Sequence, residues 1–291
     1  MGWTPPAWPT ASGGLSVSNP YCSHNNSMVK KERADKLVLS RGLAESREKA
    51  QALIMAGLVA ASGRRVEKPG QLLGVGVALT VESGIPYVSR GGLKLAEALE
   101  AFAIRVEGRV GADLGASTGG FTDCLLQRGA KAVYAVDVTT SQLDWRLRGD
   151  PRVILLEKNA RFLSAEDFPE RPDIVTMDLS FISVLKVLPA VRRFLIDGDV
   201  LALLKPQFEV GKGQVGKRGV VRNPALHEEV LNQLLKGALE LGFALCGLHG
   251  CQVRGQRGNR EFFVHWKLSG PSLSAERARK LVREVVYGEK N

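Results

Sequence analysis

Apolar and polar positions follow two regimes along the chain. From residue 110 onward, mainly apolar runs at 110–114, 132–138, 153–156, 173–177 and 199–204 alternate with amphipathic stretches. This pattern predicts an open α/β sheet, its strands covered by the intervening helices. Two further apolar runs, 243–253 and 262–266, follow a helix-like stretch over 224–240 and predict a closing hairpin. Gly270-Pro271 then breaks the pattern, and Ser274 is placed to cap a last basic helix from Ala275 to about Tyr287. Upstream the elements are shorter. Ala34, Leu37, Val38 and Leu39 precede a break at Gly42, and Ser46 is placed to cap a second helix with Ala50, Leu53 and Ile54 on its apolar face. Leu58-Val59-Ala60, a Ser62-Gly63 turn and Arg64-Arg65-Val66 then predict a small hairpin.

Charge divides the chain further. Residues 1–27 contain no Lys, Arg, Asp or Glu and are rich in Pro, Gly, Ser, Thr and Asn. They are expected to be a disordered tail, or an extension upstream of a start at Met28, and they lack the basic and apolar regions of a secretory signal. Between Lys30 and Lys68 ten basic residues face five acidic ones, a surplus of +5 out of the +10 carried by all 291 residues. A polyanion is the expected partner, nucleic acid before an anionic membrane surface. Charge alone fits a solvated helix face equally well. The order of elements over 32–70 tips the balance, because it resembles the RNA-binding module of ribosomal protein S4: a basic first helix, a second helix ending in Ala56-Gly57-Leu58-Val59, then a turn before a basic strand. Arg33-Ala34-Asp35-Lys36 stands where that family has Arg-Leu-Asp-Lys. The resemblance implies RNA contacts through Arg33, Lys36, Arg41, Arg47, Lys49 and Arg64, with Arg65 beside them.

Several classes are excluded. No apolar run approaches the roughly 18 to 20 residues that span a bilayer. Cys22, Cys124, Cys246 and Cys251 are too few and scattered for a disulfide framework, and none shows zinc-site spacing. No metal is expected, and a reducing cytoplasm is the expected location.

The first long strand runs into Asp113-Leu114-Gly115-Ala116-Ser117-Thr118-Gly119-Gly120-Phe121, with a helix following at once. Glycines there let a ligand approach the backbone at the carboxyl end of the strand. The spacing is neither the G-x-G-x-x-G of dinucleotide sites nor a phosphate loop with Gly-Lys-Ser/Thr, which disfavours NAD and ATP. S-adenosylmethionine fits. Asp137, 22 residues after Gly115 and followed by Val138, is placed to accept from ribose hydroxyls, or else to close a turn. Asp113 is placed for the cofactor's amine. Asn159 is a candidate for the adenine edge, although Asn at a strand end often only forms a turn.

Four charged residues at strand or helix edges bear on the chemistry: Lys94, Asp178, Lys205 and Glu261. Each alone reads as a surface charge, whereas their joint order around a cofactor sheet is hard to produce by accident. Their segments are Val88-Ser89-Arg90-Gly91-Gly92-Leu93-Lys94, Asp178-Leu179-Ser180-Phe181-Ile182-Ser183, Lys205-Pro206-Gln207-Phe208-Glu209 and Gly258-Asn259-Arg260-Glu261-Phe262. With the run from Asp113 to Ala130, they make residues 30–268 resemble the TlyA family of ribosomal RNA 2′-O-methyltransferases, often labelled haemolysins, whose catalytic domain is like the FtsJ family. That family's Lys-Asp-Lys-Glu tetrad maps onto these four residues without substitution. The resemblance implies cytidine 2′-O-methylation of large-subunit rRNA, and in some members of small-subunit rRNA too.

The chemistry explains the residue types. A ribose hydroxyl is a poor nucleophile, and a lysine held near an acid can orient it and take its proton during in-line attack on a sulfonium methyl. Lys205 is the candidate for that role, with Lys94 and Glu261 as positioning and polarising groups. Amine methylation commonly uses an Asn/Asp-Pro-Pro-aromatic segment, which Asp178-Leu179-Ser180-Phe181 is not; carbon methylation needs a nucleophilic cysteine, and Cys124 reads as a small buried residue.

The expected architecture is α/β: a Rossmann-like class I S-adenosylmethionine-dependent methyltransferase sheet with a small N-terminal α+β S4-like RNA-binding domain. The expected boundaries are a tail at 1–27, the S4-like domain at 28–82, a linker at 83–88, the FtsJ-like domain at 89–270 and a C-terminal helix at 271–291. The short linker could couple RNA docking to the cofactor site. Glycines interleaved with Lys212, Lys217, Arg218 and Arg222 make 205–222 a basic flap able to clamp phosphates, and Arg90 adds to the basic surface. The expected partner is ribosomal RNA or a ribosomal subunit, met by a monomer with no membrane contact. A non-catalytic ribosome-assembly factor is the rival reading, and a membrane-lytic haemolysin ranks below both.

Overall fold

The computed structural model describes residues 30–55, 57–81, 86–211, 215–216, 219–255 and 258–288. The tail at 1–27, part of the linker, and Lys212, Lys217 and Arg218 of the basic flap lie outside the described residues. The chain divides into two units, Met1–Gly84 and Ile85–Asn291.

In the first unit, α1 (Ala34–Ser40) and α2 (Arg47–Met55) bury Ala34, Leu37, Val38, Ala50 and Ile54. Ser46 Oγ accepts from the Lys49 backbone N–H at 3.1 Å, the N-terminal cap that the sequence indicates. The hairpin forms from β2 (Val59–Ala61) and β3 (Arg64–Arg65), with Ala60 opposite Arg65. Three strands of three residues each, β1 (Lys31–Arg33), β4 (Leu72–Gly74) and β5 (Leu79–Val81), carry too little periodicity to be read from sequence. β1 pairs with β4, and β5 with β2.

The second unit is built on a seven-stranded sheet. Its strands are β6 (Val110–Leu114), β7 (Ala132–Asp137), β8 (Val153–Glu157), β9 (Ile174–Met177), β10 (Asp199–Leu204), β11 (Ala244–Gly250) and β12 (Phe262–Lys267). They lie in the order β11-β12-β10-β9-β6-β7-β8. All neighbours from β10 to β8 are parallel, and β12 runs antiparallel to both β10 and β11. Every residue of β6, β9 and β10 is buried, the both-faces burial expected of a central parallel strand. Helices α3 (Arg90–Ala101), α4 (Gly120–Gln127), α5 (Trp145–Arg148), α6 (Leu188–Phe194), α7 (Pro206–Glu209), α8 (Pro224–Glu240) and α9 (Ala275–Tyr287) complete the unit. Ser274 Oγ caps α9 by accepting from Arg277 N at 3.2 Å, and Val282 and Val286 bury the inner side of that helix.

The order places a switch point at β6: the chain leaves it toward β7 on one side and returns at β9 on the other. Such a reversal opens a crevice beyond the carboxyl ends of the strands, where ligands of open α/β sheets bind.

Candidate active site

The glycine turn fills one wall of that crevice. Gly115 and Ala116 both donate to Val136 O, at 2.8 and 3.1 Å, which bends the chain sharply off β6. Gly115 has φ +89°, and a Cβ there would lie 2.8 Å from the carbonyl oxygen of Asp178. Only glycine allows this approach between the 115–118 turn and the Asp178 loop. Gly119, at φ +94°, caps α4, so that helix begins at Gly120 under the turn.

The charged residues form two ion pairs. Lys94, in the first turns of α3, places Nζ 2.6 Å from Glu261 Oε2, and Glu261 is only 3% exposed. The N-terminus of α3 is set by Ser89, whose Oγ accepts from Gly91 N at 3.3 Å. Lys205, which follows β10 directly, places Nζ 2.6 Å from Asp178 Oδ1 and 3.1 Å from Ser180 Oγ. The approach to Asp178 is off the hydrogen-bonding direction: Oδ1 is buried and has no aligned donor among the described residues. Gln207 reaches toward Glu261 with Nε2 at 3.5 Å from Oε1 and so touches the Lys94–Glu261 pair from the helix that follows Lys205. All four charged residues line one cleft with the 115–118 turn, Gly120, Phe121 and Arg90.

Several residues of this cleft are not evident from sequence patterning. Phe181 is 89% exposed with φ +64°, and its ring centroid lies 4.8 Å from that of Phe208. Lys205 Nζ stands 5.8 Å from the Phe208 ring. An aromatic held outward in the left-handed region is strained as well as solvated, the kind of feature that marks functional loops. Glu209 ties the two loops together by accepting from Val184 N at 2.9 Å, and burial pushes its carboxyl above the usual range. The available signal was indirect: these residues flank the charged ones in the same strand-end segments.

Other expected site residues stand elsewhere. Asp113 is fully buried and does not line the cleft: Oδ2 accepts from Thr122 Oγ1 at 2.7 Å and Oδ1 from Thr176 Oγ1 at 3.1 Å. The carboxylate is thus held between α4 and β9, with a threonine hydroxyl on each oxygen. Burial pushes its pKa up to about 7, against the pull of the two threonines. Asn159 caps the turn at Ala160–Phe162, its side-chain oxygen accepting from Arg161 N at 3.1 Å. Asp137 ends β7 and supports the glycine loop, accepting from Ser117 N at 2.8 Å, and the exposed Val138 follows it.

Among the basic residues of the first unit, Arg41 donates to Val77 O at 2.5 Å and Val75 O at 2.6 Å. It braces the 75–77 turn while remaining exposed. Lys36, Lys49, Arg64 and Arg65 are exposed, as are Arg90 and Arg222 of the second unit. Among the described residues no helix is long and apolar enough to cross a membrane.

The switch-point sheet, the glycine turn and the paired charges define a methyltransferase of the α/β class joined to a small basic module. Residues 87–268 match the FtsJ-like methyltransferase family and residues 32–79 match the S4 domain. The Mycobacterium tuberculosis protein named 16S/23S rRNA (cytidine-2′-O)-methyltransferase TlyA is 48% identical over 241 residues, 81% of this chain and 90% of its own. YqxC of Bacillus subtilis, named as an rRNA methyltransferase, is 45% identical over 265 residues, 88% of this chain and 94% of its own. A solved Streptococcus thermophilus structure, named as a hemolysin, is 43% identical with a TM-score of 0.69, covering 89% of this chain and 97% of that one. The chain belongs to the TlyA family of FtsJ-like methyltransferases.

Proposed function

We propose that the protein is an S-adenosylmethionine-dependent rRNA (cytidine-2′-O)-methyltransferase. One observation carries the reading: four charges from four separate segments meet as two ion pairs on the same cleft as the glycine turn. A binding scaffold has no use for two largely buried ion pairs at that place, and the similarity to the cytidine-2′-O-methyltransferase of M. tuberculosis supports the acceptor.

The residues present fit the cofactor. Gly115 lets the turn approach the Asp178 carbonyl, Gly119 lets it pack on Leu143 and Leu147, and the Gly115-Ala116-Ser117-Thr118 backbone lies on the cleft wall. When bound, S-adenosylmethionine supplies an electrophilic methyl on a sulfonium. The acceptor ribose then belongs on the β10 and β12 side of the cleft, β10 lying two strands from β6 and so roughly 10 Å across at about 4.8 Å per strand. For this step the Lys205 ammonium of the resting ion pair first gives a proton to solvent; as the neutral amine it orients the 2′-hydroxyl and takes its proton while the O–CH3 bond forms and the S–CH3 bond breaks, with S-adenosylhomocysteine leaving as a neutral thioether. Asp178 and Ser180 hold the ammonium that results. Lys94 and Glu261 fix the far wall of the cleft, and Phe181 offers its face for stacking to the acceptor's base.

The test is methyl transfer from radiolabelled S-adenosylmethionine to isolated small and large ribosomal subunits, with wild type and Lys205→Ala side by side. Label on 2′-O-methylcytidine that disappears in the variant is the expected result, and the labelled subunit identifies the target. Cofactor binding without transfer to either subunit or to naked rRNA would instead support the assembly-factor reading.

A further inference from the structure

Asp35 is the most heavily engaged side chain of the first unit, and none of the chemistry above uses it. It is the second residue of α1 and has no exposed surface. Oδ1 accepts from Arg33 Nε and from the Lys36 backbone N–H, both at 3.0 Å. Oδ2 accepts from Arg33 Nη2 at 2.9 Å, Arg47 Nε at 3.1 Å and Gln51 Nε2 at 3.0 Å. Five donors saturate a carboxylate. The guanidinium of Arg33, with help from Gln51 and Arg47, holds this carboxyl well below the usual carboxylate range.

The two arginines are only half used. Their side chains are 40% and 45% exposed. Arg33 keeps Nη1 and Arg47 keeps both terminal nitrogens free of protein acceptors among the described residues. One buried negative charge thus organises two exposed positive ones, and a single arginine would have sufficed to neutralise it. A guanidinium already fixed through Nε loses little rotamer freedom when its remaining N–H groups engage a phosphate.

We propose that Asp35 is a positioning residue that holds Arg33 and Arg47 as one pre-formed guanidinium pair for the phosphate backbone of RNA. The proposal rests on the RNA-directed reading of the protein and deepens it by naming what aligns the contacts and which part of the RNA they meet. The pair is a backbone reader, so it adds affinity and salt dependence rather than sequence choice.

Charge and geometry predict opposite signs for Asp35→Asn. Removing a negative charge between two arginines makes the surface more basic, and electrostatics alone would tighten RNA binding and steepen its salt dependence. Loss of positioning weakens binding by roughly tenfold and flattens the slope of log Kd against log salt by about 0.7 for each phosphate that is no longer neutralised. Full-length protein is titrated with isolated ribosomal subunits and with naked rRNA at several salt concentrations, and methyl transfer is followed in parallel. The proposal expects weaker binding, a flatter slope and a raised KM for RNA with kcat and cofactor affinity unchanged. Because Asp35→Asn removes a buried anion and can unfold the small unit, Arg33→Lys with Arg47→Lys is measured too. It keeps both charges but not the forks, and it should lose affinity in the same way and add nothing on top of a folded Asp35→Asn. Equal or tighter binding by Asp35→Asn, or an unchanged slope in the double lysine variant, overturns the proposal. Failure of wild type to bind any of these RNAs is a different result, and it overturns the RNA-directed reading itself.

Discussion

Asp113→Asn separates two roles for the acid beneath the glycine turn. Asp113 is wholly buried, each oxygen accepts from a threonine hydroxyl, and its pKa is pushed up to about 7, with burial the leading cause and the nearby charge of Asp178 adding to it. In the unfolded chain an aspartate titrates near ~3.9. Between about pH 4 and pH 7 the folded state therefore binds more protons than the unfolded state, and stability falls as pH rises through that window. The neutral acid contributes fully below the unfolded value, and that contribution is gone above the folded one. Three units at 1.36 kcal/mol each bound the loss at about 4 kcal/mol. An asparagine at this position keeps the hydrogen bonds, because its amide donates to one threonine and accepts from the other. It has no charge to bury.

The expected outcome is a variant that matches wild type near pH 4 and gains steadily on it up to about pH 7. The gap should reach roughly 8 to 16 °C in the melting of the catalytic unit, at about 2–4 °C per kcal/mol. Calorimetric scans from pH 4 to 8 measure the difference, in which groups common to both proteins cancel. Titration with S-adenosylmethionine supplies the second readout, and the cofactor dissociation constant should stay within about twofold, since the carboxylate faces Thr122 and Thr176 and not the cleft. A stability gap that does not change with pH would refute the burial argument. A tenfold or greater loss of cofactor affinity would instead support the direct contact with the cofactor amine suggested by the position of Asp113 at the strand end.

Three further outcomes follow from the same geometry. Phe181→Ala should raise the RNA KM by roughly tenfold through loss of one stacking partner while leaving cofactor affinity and Tm unchanged, because the ring is already in solvent; an unchanged KM would remove Phe181 from the acceptor site. Gly115→Ala should reduce cofactor affinity at least tenfold and destabilise the catalytic unit by about 1–3 kcal/mol, since its Cβ would press on the Asp178 carbonyl at positive φ; calorimetric titration and melting check both. Lys94→Met strands the buried Glu261 carboxylate and should destabilise by about 3–5 kcal/mol, whereas Lys94→Met with Glu261→Gln should recover most of the stability and none of the methyl transfer, as read by denaturant melts and the radiolabel assay.

The central parallel strands were legible because burial on both faces leaves nearly continuous apolar runs, and Ser46 and Ser274 announced their helices through capping chemistry. The same double burial hid the direction of Asp113. With all five residues of β6 buried, alternation cannot say which side chains look toward the crevice and which into the sheet. Asn159 and Arg41 show a related limit: residue type and position do not reveal the local bonds each makes, to Arg161 N and to the carbonyls of Val75 and Val77. Phe181 and Gln207 lie in segments whose importance was evident, but their inward or outward turn depends on φ values and short helices that no periodicity encodes.

The tetrad was legible as four residues but not as a site, and topology explains the difference. Asp178 and Lys205 follow β9 and β10, so parallel strands deliver both to the carboxyl edge of the sheet. Glu261 precedes its strand instead of following it. Because β12 is antiparallel to β10, with Leu204 opposite Phe262, the start of β12 lies at the edge where β10 ends. Lys94, 167 positions earlier, comes to Glu261 from outside the sheet on α3. The antiparallel hairpin that closes the sheet is therefore a requirement of the chemistry and not an appendage to it. If β12 ran parallel to β10, Glu261 would stand at the opposite edge, beyond the reach of Lys94, and that lysine would face the cleft without its counter-ion.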